Sequence, residues 1–410
     1  MSSRQPRLHP WKAPATHAHG NGTPFENVAL LLQGGGALGA YQAGVYEALA
    51  ERDIEPGWIA GISIGAINSA IIAGNPPKER IGKLRSFWEE VSAPSMTWSG
   101  GSWGDWLPHL VHNPTIRGAA NQIAASHVLV HGAPGFFAPR LLPPTFCPSG
   151  SAGATSFYDT TPLKATLERL VDFDRINARL TRFSVGAVNV RTGNFAYFDN
   201  ATDVIRPQHI MASGALPPGF PAVEIDGEHY WDGGLVSNTP LDWVLSSKSD
   251  LDTLVFQVDL WSARGQLPAD MSSVAVRAKE IQFSSRTRAA TEVFRERQML
   301  RAAFRKLAQQ MPPDLLDTPE ARTLMEATDA CAFNIVQLVY HSPTYEGESK
   351  DYEFSRQTME DHWRTGYEDA QFTLSHKEVL DLPADPAGVE VYDFTGPAHE
   401  SEHRGVARRR

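Results

Sequence analysis

Val28-Ala-Leu-Leu-Leu-Gln-Gly-Gly-Gly-Ala-Leu-Gly39 opens the organised part of this chain, and Trp58-Ile-Ala-Gly-Ile-Ser-Ile-Gly65 repeats its grammar. Val28 to Leu32 is apolar without alternation, which suits a strand covered on both faces, as in a parallel sheet. The glycine loop Gly34–Gly39 follows, and then a helix is predicted from about Ala40 to Glu51. Trp58-Ile-Ala is a second short strand that runs straight into Gly61-Ile-Ser-Ile-Gly65, with a helix from Ala66 to Ala73 behind it. Gly74-Asn-Pro-Pro77 is a strong helix stop. Strand, loop and helix twice over is α/β grammar.

Further along, Leu163–Val171 reads as a helix, Phe183–Val190 as a strand and Phe195–Phe198 as its partner. Residues 223–231 read as a hairpin about the turn Asp226-Gly227, with Asp232-Gly233-Gly234 directly after it. Thr253–Asp259 is expected to be the last core strand. Residues 94–156 break the rhythm with Trp98, Trp103, Trp106 and many prolines. A structureless stretch this long inside a domain suits either a flap over an apolar pocket or a surface insertion.

Beyond about residue 265 the composition turns helical. Residues 277–306 hold nine Lys/Arg and three Asp/Glu, a local balance of +6, and Val293, Leu300, Phe304 and Leu307 fall on one helical face. This suits a helix lying on a membrane surface or a partner, or a packed helix with a basic solvated face. Two more helices are predicted, roughly 319–340 and 355–375. Residues 1–25 read as a disordered leader, in which His17 and His19 are solvated, and residues 381–410 read as a tail. No internal repeat is evident.

The chain has 410 residues, 42% hydrophobic and 10% aromatic, ample for a core and too many for one domain without an appendage. No run approaches the roughly 18 uncharged apolar residues of a membrane span. A net charge of -10 argues against a nucleic-acid binder. Cys147 and Cys331 are the only cysteines, giving neither a disulfide framework nor zinc spacing. The N-terminus lacks the apolar run of a secretory signal. A cytoplasmic protein without metal or cofactor is expected, with possible contact at a membrane periphery.

Gly61-x-Ser63-x-Gly65 between a strand and a helix carries the sharpest chemistry. A serine hydroxyl needs to be exposed and activated to act as a nucleophile. A tight strand-to-helix elbow exposes it, flanking glycines avoid collisions, and the following helix points its positive end toward it. Gly34-Gly35-Gly36-Ala37-Leu38-Gly39 offers backbone N–H groups that can cradle an oxyanion. The same string satisfies G-x-G-x-x-G, but a dinucleotide site wants an acidic residue about 20 residues on, at the end of the second strand. That strand ends in Gly61-Ile62-Ser63 instead, and Asp53 and Glu55 lie before it. The two glycines after Asp232 permit a tight turn that brings the carboxylate close to another loop.

These motifs in this order resemble the patatin-like phospholipases, lipid acyl hydrolases that use a Ser–Asp dyad. The resemblance runs from about Val28 to Leu245 and includes Ala212-Ser213-Gly214-Ala215-Leu216-Pro217 ahead of the hairpin. It implies a three-layer α/β/α sheet with a nucleophile elbow over residues 26–262, followed by a mainly helical region over 263–380. It implies Ser63 as nucleophile, Asp232 as general base, and Gly35, Gly36 and Ile64 as oxyanion donors on a lipid or other ester substrate. Gly34, Gly39, Gly61, Gly65, Gly233 and Gly234 complete the motifs. Many members carry Arg or Lys where this chain has Leu38, so a charge-stabilising role at that position falls away. The C-terminal part resembles an uncharacterised extension of some bacterial members.

Two rivals stand beside this expectation. A Ser–Asp–His esterase needs a histidine after the acid, and His341, His362 and His376 follow it, in predicted helices; His229 sits three residues before it, as a strand side chain. A catalytically silent lipid-binding or scaffold module is the other.

Overall fold

Val28, Leu30 and Leu32 of β1 (Asn27–Leu32) face one layer of the protein and Ala29 and Leu31 face the other, and all five are buried. That two-sided burial is what the unbroken apolar run requires. The computed structural model describes residues 23–93, 114–247, 251–284, 287–326, 331–343, 345–384 and 388–396. Chain order continues with α1 (Ala40–Glu51), β2 (Trp58–Gly61), α2 (Ile64–Ala73), α3 (Pro77–Val91) and α4 (Pro114–His131). A small ribbon pairs β3 (Ala138–Pro139) with β4 (Tyr158–Asp159). Then come α5 (Thr161–Leu170), α6 (Phe173–Asn177), β5 (Arg182–Asn189), β6 (Phe195–Asp199) and α7 (Pro207–Ser213). The hairpin is β7 (Val223–Ile225) and β8 (Glu228–Asp232), followed by α8 (Leu241–Ser246) and β9 (Thr253–Asp259). The C-terminal region holds α9 (Met271–Phe283), α10 (Thr287–Ala308), α11 (Pro313–Leu316) and α12 (Pro319–Glu326). It closes with β10 (Phe333–Val339), α13 (Arg356–Thr373) and β11 (Val389–Asp393).

Nine strands form one mixed sheet, in the order β11-β10-β9-β1-β2-β5-β8-β7, with β6 also paired to β5. Helices α1, α2, α3 and α13 cover one face and α8 and α10 the other, the three layers expected. The C-terminal region is largely helical, as expected, but it also extends the sheet. Thr253–Asp259 is therefore an internal strand, flanked by β1 and β10, and not the last of the core. The helix predicted over 319–340 ends at Glu326, and Phe333–Val339 is a strand buried against β9. Within the expected tail, Val389–Asp393 pairs with β10, and within the expected leader Phe25 is buried. Residues 1–22, with His17 and His19, and residues 385–387 and 397–410 lie outside the described residues, as do Trp98, Trp103 and Trp106. Residues 114–131, read as part of a structureless stretch, form an 18-residue helix.

Of the stripe Val293, Leu300, Phe304 and Leu307 on α10, Phe304 is half-buried and the other three are exposed, while Thr291, Phe294, Gln298, Ala302 and Ala308 are buried. Among the described residues, no helix is long and apolar enough to cross a membrane.

Helix α13 lies on α1 with the two backbones in contact. A Cβ on Gly44 would come within 1.8 Å of the Trp363 carbonyl oxygen, and one on Gly366 within 2.0 Å of that of Tyr41. Gly44→Ala would gain roughly 0.5–1 kcal/mol of intrinsic helix propensity. Overpacking against a backbone that cannot rotate away costs about 1–3 kcal/mol or more and should prevail. Urea denaturation of Gly44→Ala should show a lowered midpoint; an unchanged or raised midpoint would mean that the helices separate freely.

Candidate active site

Ser63 joins β2 to α2 with φ 55° and ψ -123°, a strained conformation for a residue with a side chain. Both flanking glycines are sterically required. A Cβ on Gly61 would lie 2.3 Å from the Gly65 carbonyl oxygen, and one on Gly65 would lie 2.2 Å from that of Leu32. The Ser63 N–H donates to Ser213 Oγ at 3.0 Å, and that hydroxyl donates to the Gly186 carbonyl at 2.7 Å. Ser213, at the end of α7, thus ties the elbow to β5.

The glycine loop beside it is fixed by buried polar side chains that sequence reading passed over. Gln33 accepts from the N–H groups of Leu260 and Trp261 at 2.6 and 3.0 Å. Its own carbonyl takes a 2.7 Å bond from Gln42. The Gly34 carbonyl accepts from Asn238 Nδ2 and Trp261 Nε1, both at 3.0 Å. The N–H groups of Gly35, Gly36 and Ile64 have no acceptor among the described residues. Gly36 has φ +56°, which favours glycine there. Leu38 is buried in the core, away from the cavity described below.

Asp232 reaches Ser63 through the sheet. Strand β2 pairs with β5 only as far as Gly61 opposite Val185. Just beyond, β8 takes over the same edge and sets Asp232 opposite Ala187, because the other edge at Ala187 and Val188 belongs to β6. The carboxylate accepts the Gly234 N–H at 2.7 Å. Burial pushes its pKa up to about 7, partly opposed by the Ser63 hydroxyl and the Gly234 N–H, which favour the charged form.

Ser63, Gly35, Gly36 and Asp232 share the wall of a cavity of about 280 Å³. Much of the rest of its lining is aromatic: Phe137 stands 4.9 Å from Tyr158 and 5.2 Å from Phe220, centroid to centroid. Leu129, Phe136 and Phe137, from the region read as a flap, line it as well. None of the histidines weighed as a catalytic partner lines this cavity. His229 is exposed on β8, and His341 follows strand β10, not a helix as expected. His362 is buried on α13 against Glu346, at 2.9 Å, and His376 stacks on Phe394.

A family model described as patatin-like phospholipase matches residues 30–245, and a second, described as patatin phospholipase, matches residues 281–385. No curated protein matches the chain. Among solved structures, VipD from Legionella pneumophila aligns with 93% of this chain and 75% of its own, at 14% identity and a TM-score of 0.34.

Proposed function

Because this chain belongs to the patatin-like phospholipase family, a family of lipid hydrolases, we propose that it cleaves carboxylic esters of lipids through a Ser63–Asp232 dyad and an acyl-enzyme. The observation that carries this proposal is the pairing of a strained, cavity-lining serine with a buried carboxylate whose pKa is pushed up to about 7. An ordinary carboxylate, near 3.9, is a weak base at neutral pH, whereas one near 7 is matched to the task.

In the first step Asp232 takes the Ser63 proton as Oγ attacks the ester carbonyl. The N–H groups of Gly35 and Gly36, with that of Ile64 at the start of α2, hold the oxyanion, each donor being worth roughly 2.7–4 kcal/mol. Collapse expels the alcohol, which leaves with the proton from Asp232. Water then gives its proton to Asp232 and attacks the acyl-enzyme, and the fatty acid departs as Ser63 regains its hydrogen. The apolar aromatic wall suits an acyl chain. The exposed apolar residues Val293, Leu300 and Leu307 of α10, in and beside the +6 segment 277–306, suit contact with an anionic lipid surface. Cys147 and Cys331, both free thiols, suit a cytoplasmic setting.

The test is covalent labelling by a fluorophosphonate probe together with fatty-acid release from phospholipid vesicles and p-nitrophenyl esters. The expected result is a single adduct on Ser63 and ester turnover. Lipid binding without labelling or turnover would overturn the proposal in favour of a catalytically silent lipid-binding module.

A further inference from the structure

Ala37 directly follows the two glycines assigned above to the oxyanion, and both polar groups of its backbone are held from the C-terminal region. Its N–H donates to the Asp351 carbonyl at 2.8 Å, and its carbonyl faces His362 Nδ1 at 3.4 Å. The Asp351 carbonyl also occupies the space beside Gly36, where a Cβ would approach it to 2.0 Å. A run of three glycines has wide conformational freedom of its own, so its working shape needs outside support.

That support has two anchors. Lys279 of α9 donates to the Asp351 carboxylate at 2.8 and 3.1 Å and to the Glu348 carbonyl at 2.8 Å, and its ammonium lies 5.0 Å from the centre of the Tyr352 ring. Deeper in, Glu346 holds His362 at 2.9 Å and Tyr340 at 2.7 Å, all three buried. The strap that these anchors hold, residues 346–354, also lines the cavity, through Asp351, Tyr352 and Phe354.

We propose that Lys279 and His362 are positioning residues for the oxyanion loop, clamping Ala37 through the strap 346–354 so that the Gly35 and Gly36 N–H groups stay aimed at the reacting carbonyl. The proposal rests on the assignment of those glycines as oxyanion donors. The clamp acts on the transition state, not on substrate capture. A misplacement of about 1 Å at such a site costs up to roughly a hundredfold in rate.

Lys279→Met, Lys279→Arg and His362→Phe should be compared with the wild-type full chain on p-nitrophenyl butyrate, with active sites titrated by the fluorophosphonate. Lys279→Met should lower kcat roughly tenfold, leave KM within about twofold, and slow phosphonylation in parallel. Lys279→Arg, which keeps the cation, should recover most of the loss. His362→Phe should lose more than Lys279→Met; where it fails to fold, Asp351→Ala replaces it and should behave as Lys279→Met does. A kcat within twofold of wild type in both Lys279→Met and Asp351→Ala would overturn the clamp, as would a rise in KM at constant kcat. A wild type that neither labels nor turns over would overturn the dyad itself, and the clamp with it.

Discussion

Ser63→Ala should reduce ester turnover by on the order of 10⁴-fold or more and abolish fluorophosphonate labelling, with the fold intact. Only the Oγ is removed, and the elbow geometry that exposes it stays, because alanine occupies the same backbone conformation at φ 55°. Among the described residues, no other serine or threonine lines the cavity. Ser213 Oγ is committed to the Gly186 carbonyl and to the Ser63 N–H. The Tyr158 hydroxyl donates to the Leu129 carbonyl at 2.8 Å, and burial raises its pKa further above 10. Residual activity within about tenfold of wild type would place the nucleophile elsewhere.

Asp232→Asn should cost roughly 10²–10⁴-fold in kcat, the usual range for a positioned general base, and should remove the acid limb of the pH profile. In the wild type the carboxylate must be ionised to accept the serine proton. Activity should therefore rise with pH, pass half-maximum near the Asp232 pKa of about 7, and level off above it. Stability moves the opposite way. The folded-state pKa lies above the ordinary value of 3.8, so the native protein binds this proton more tightly than the unfolded chain does. The contribution of Asp232 is fully present below about pH 4, is lost as the pH rises toward 7, and stays lost above it. Asparagine keeps an oxygen for the Gly234 N–H and carries no buried charge. The variant should thus melt higher than wild type at pH 8, with an advantage that shrinks by pH 5 and vanishes below about pH 4. A flat wild-type pH profile, or equal melting temperatures at pH 8, would contradict the assignment of Asp232 as a buried base.

Much of the site was legible because its determinants are local. Gly61 and Gly65 are dictated by backbone contacts within a few residues of Ser63 or with the adjoining β1, and Asp226-Gly227 turns the hairpin that ends at Asp232. What was not legible depends on distant partners. Nothing near Gln33, Gln42 or Asn238 in the chain says that they are buried polar supports of the glycine loop, since their partners lie across the fold. Phe333–Val339 was absorbed into the helix beginning at Pro319, although Ile335, Val336 and Val339 are β-branched; pairing with β9 decides its state. Helix α4 did carry local signals, Pro114 at its first position and Gly132 at φ +80° just past its end. The surrounding glycines and prolines outweighed them.

The late arrival of β10 has a consequence for how the protein is made. When β9 leaves the ribosome, its inner edge can settle against β1, but its outer edge belongs to a strand that begins only at Phe333. At about 5–20 residues per second, the nascent chain carries Leu254, Val255, Phe256 and Val258 beside an open row of peptide groups for several seconds. During that interval the strand is a template for any extended segment nearby, including the same strand on the next polypeptide of a polysome. A premature stop codon anywhere between Asp259 and Phe333 would make that exposure permanent. Such truncated products are expected to occupy chaperones or to aggregate, and not to survive as a smaller working enzyme.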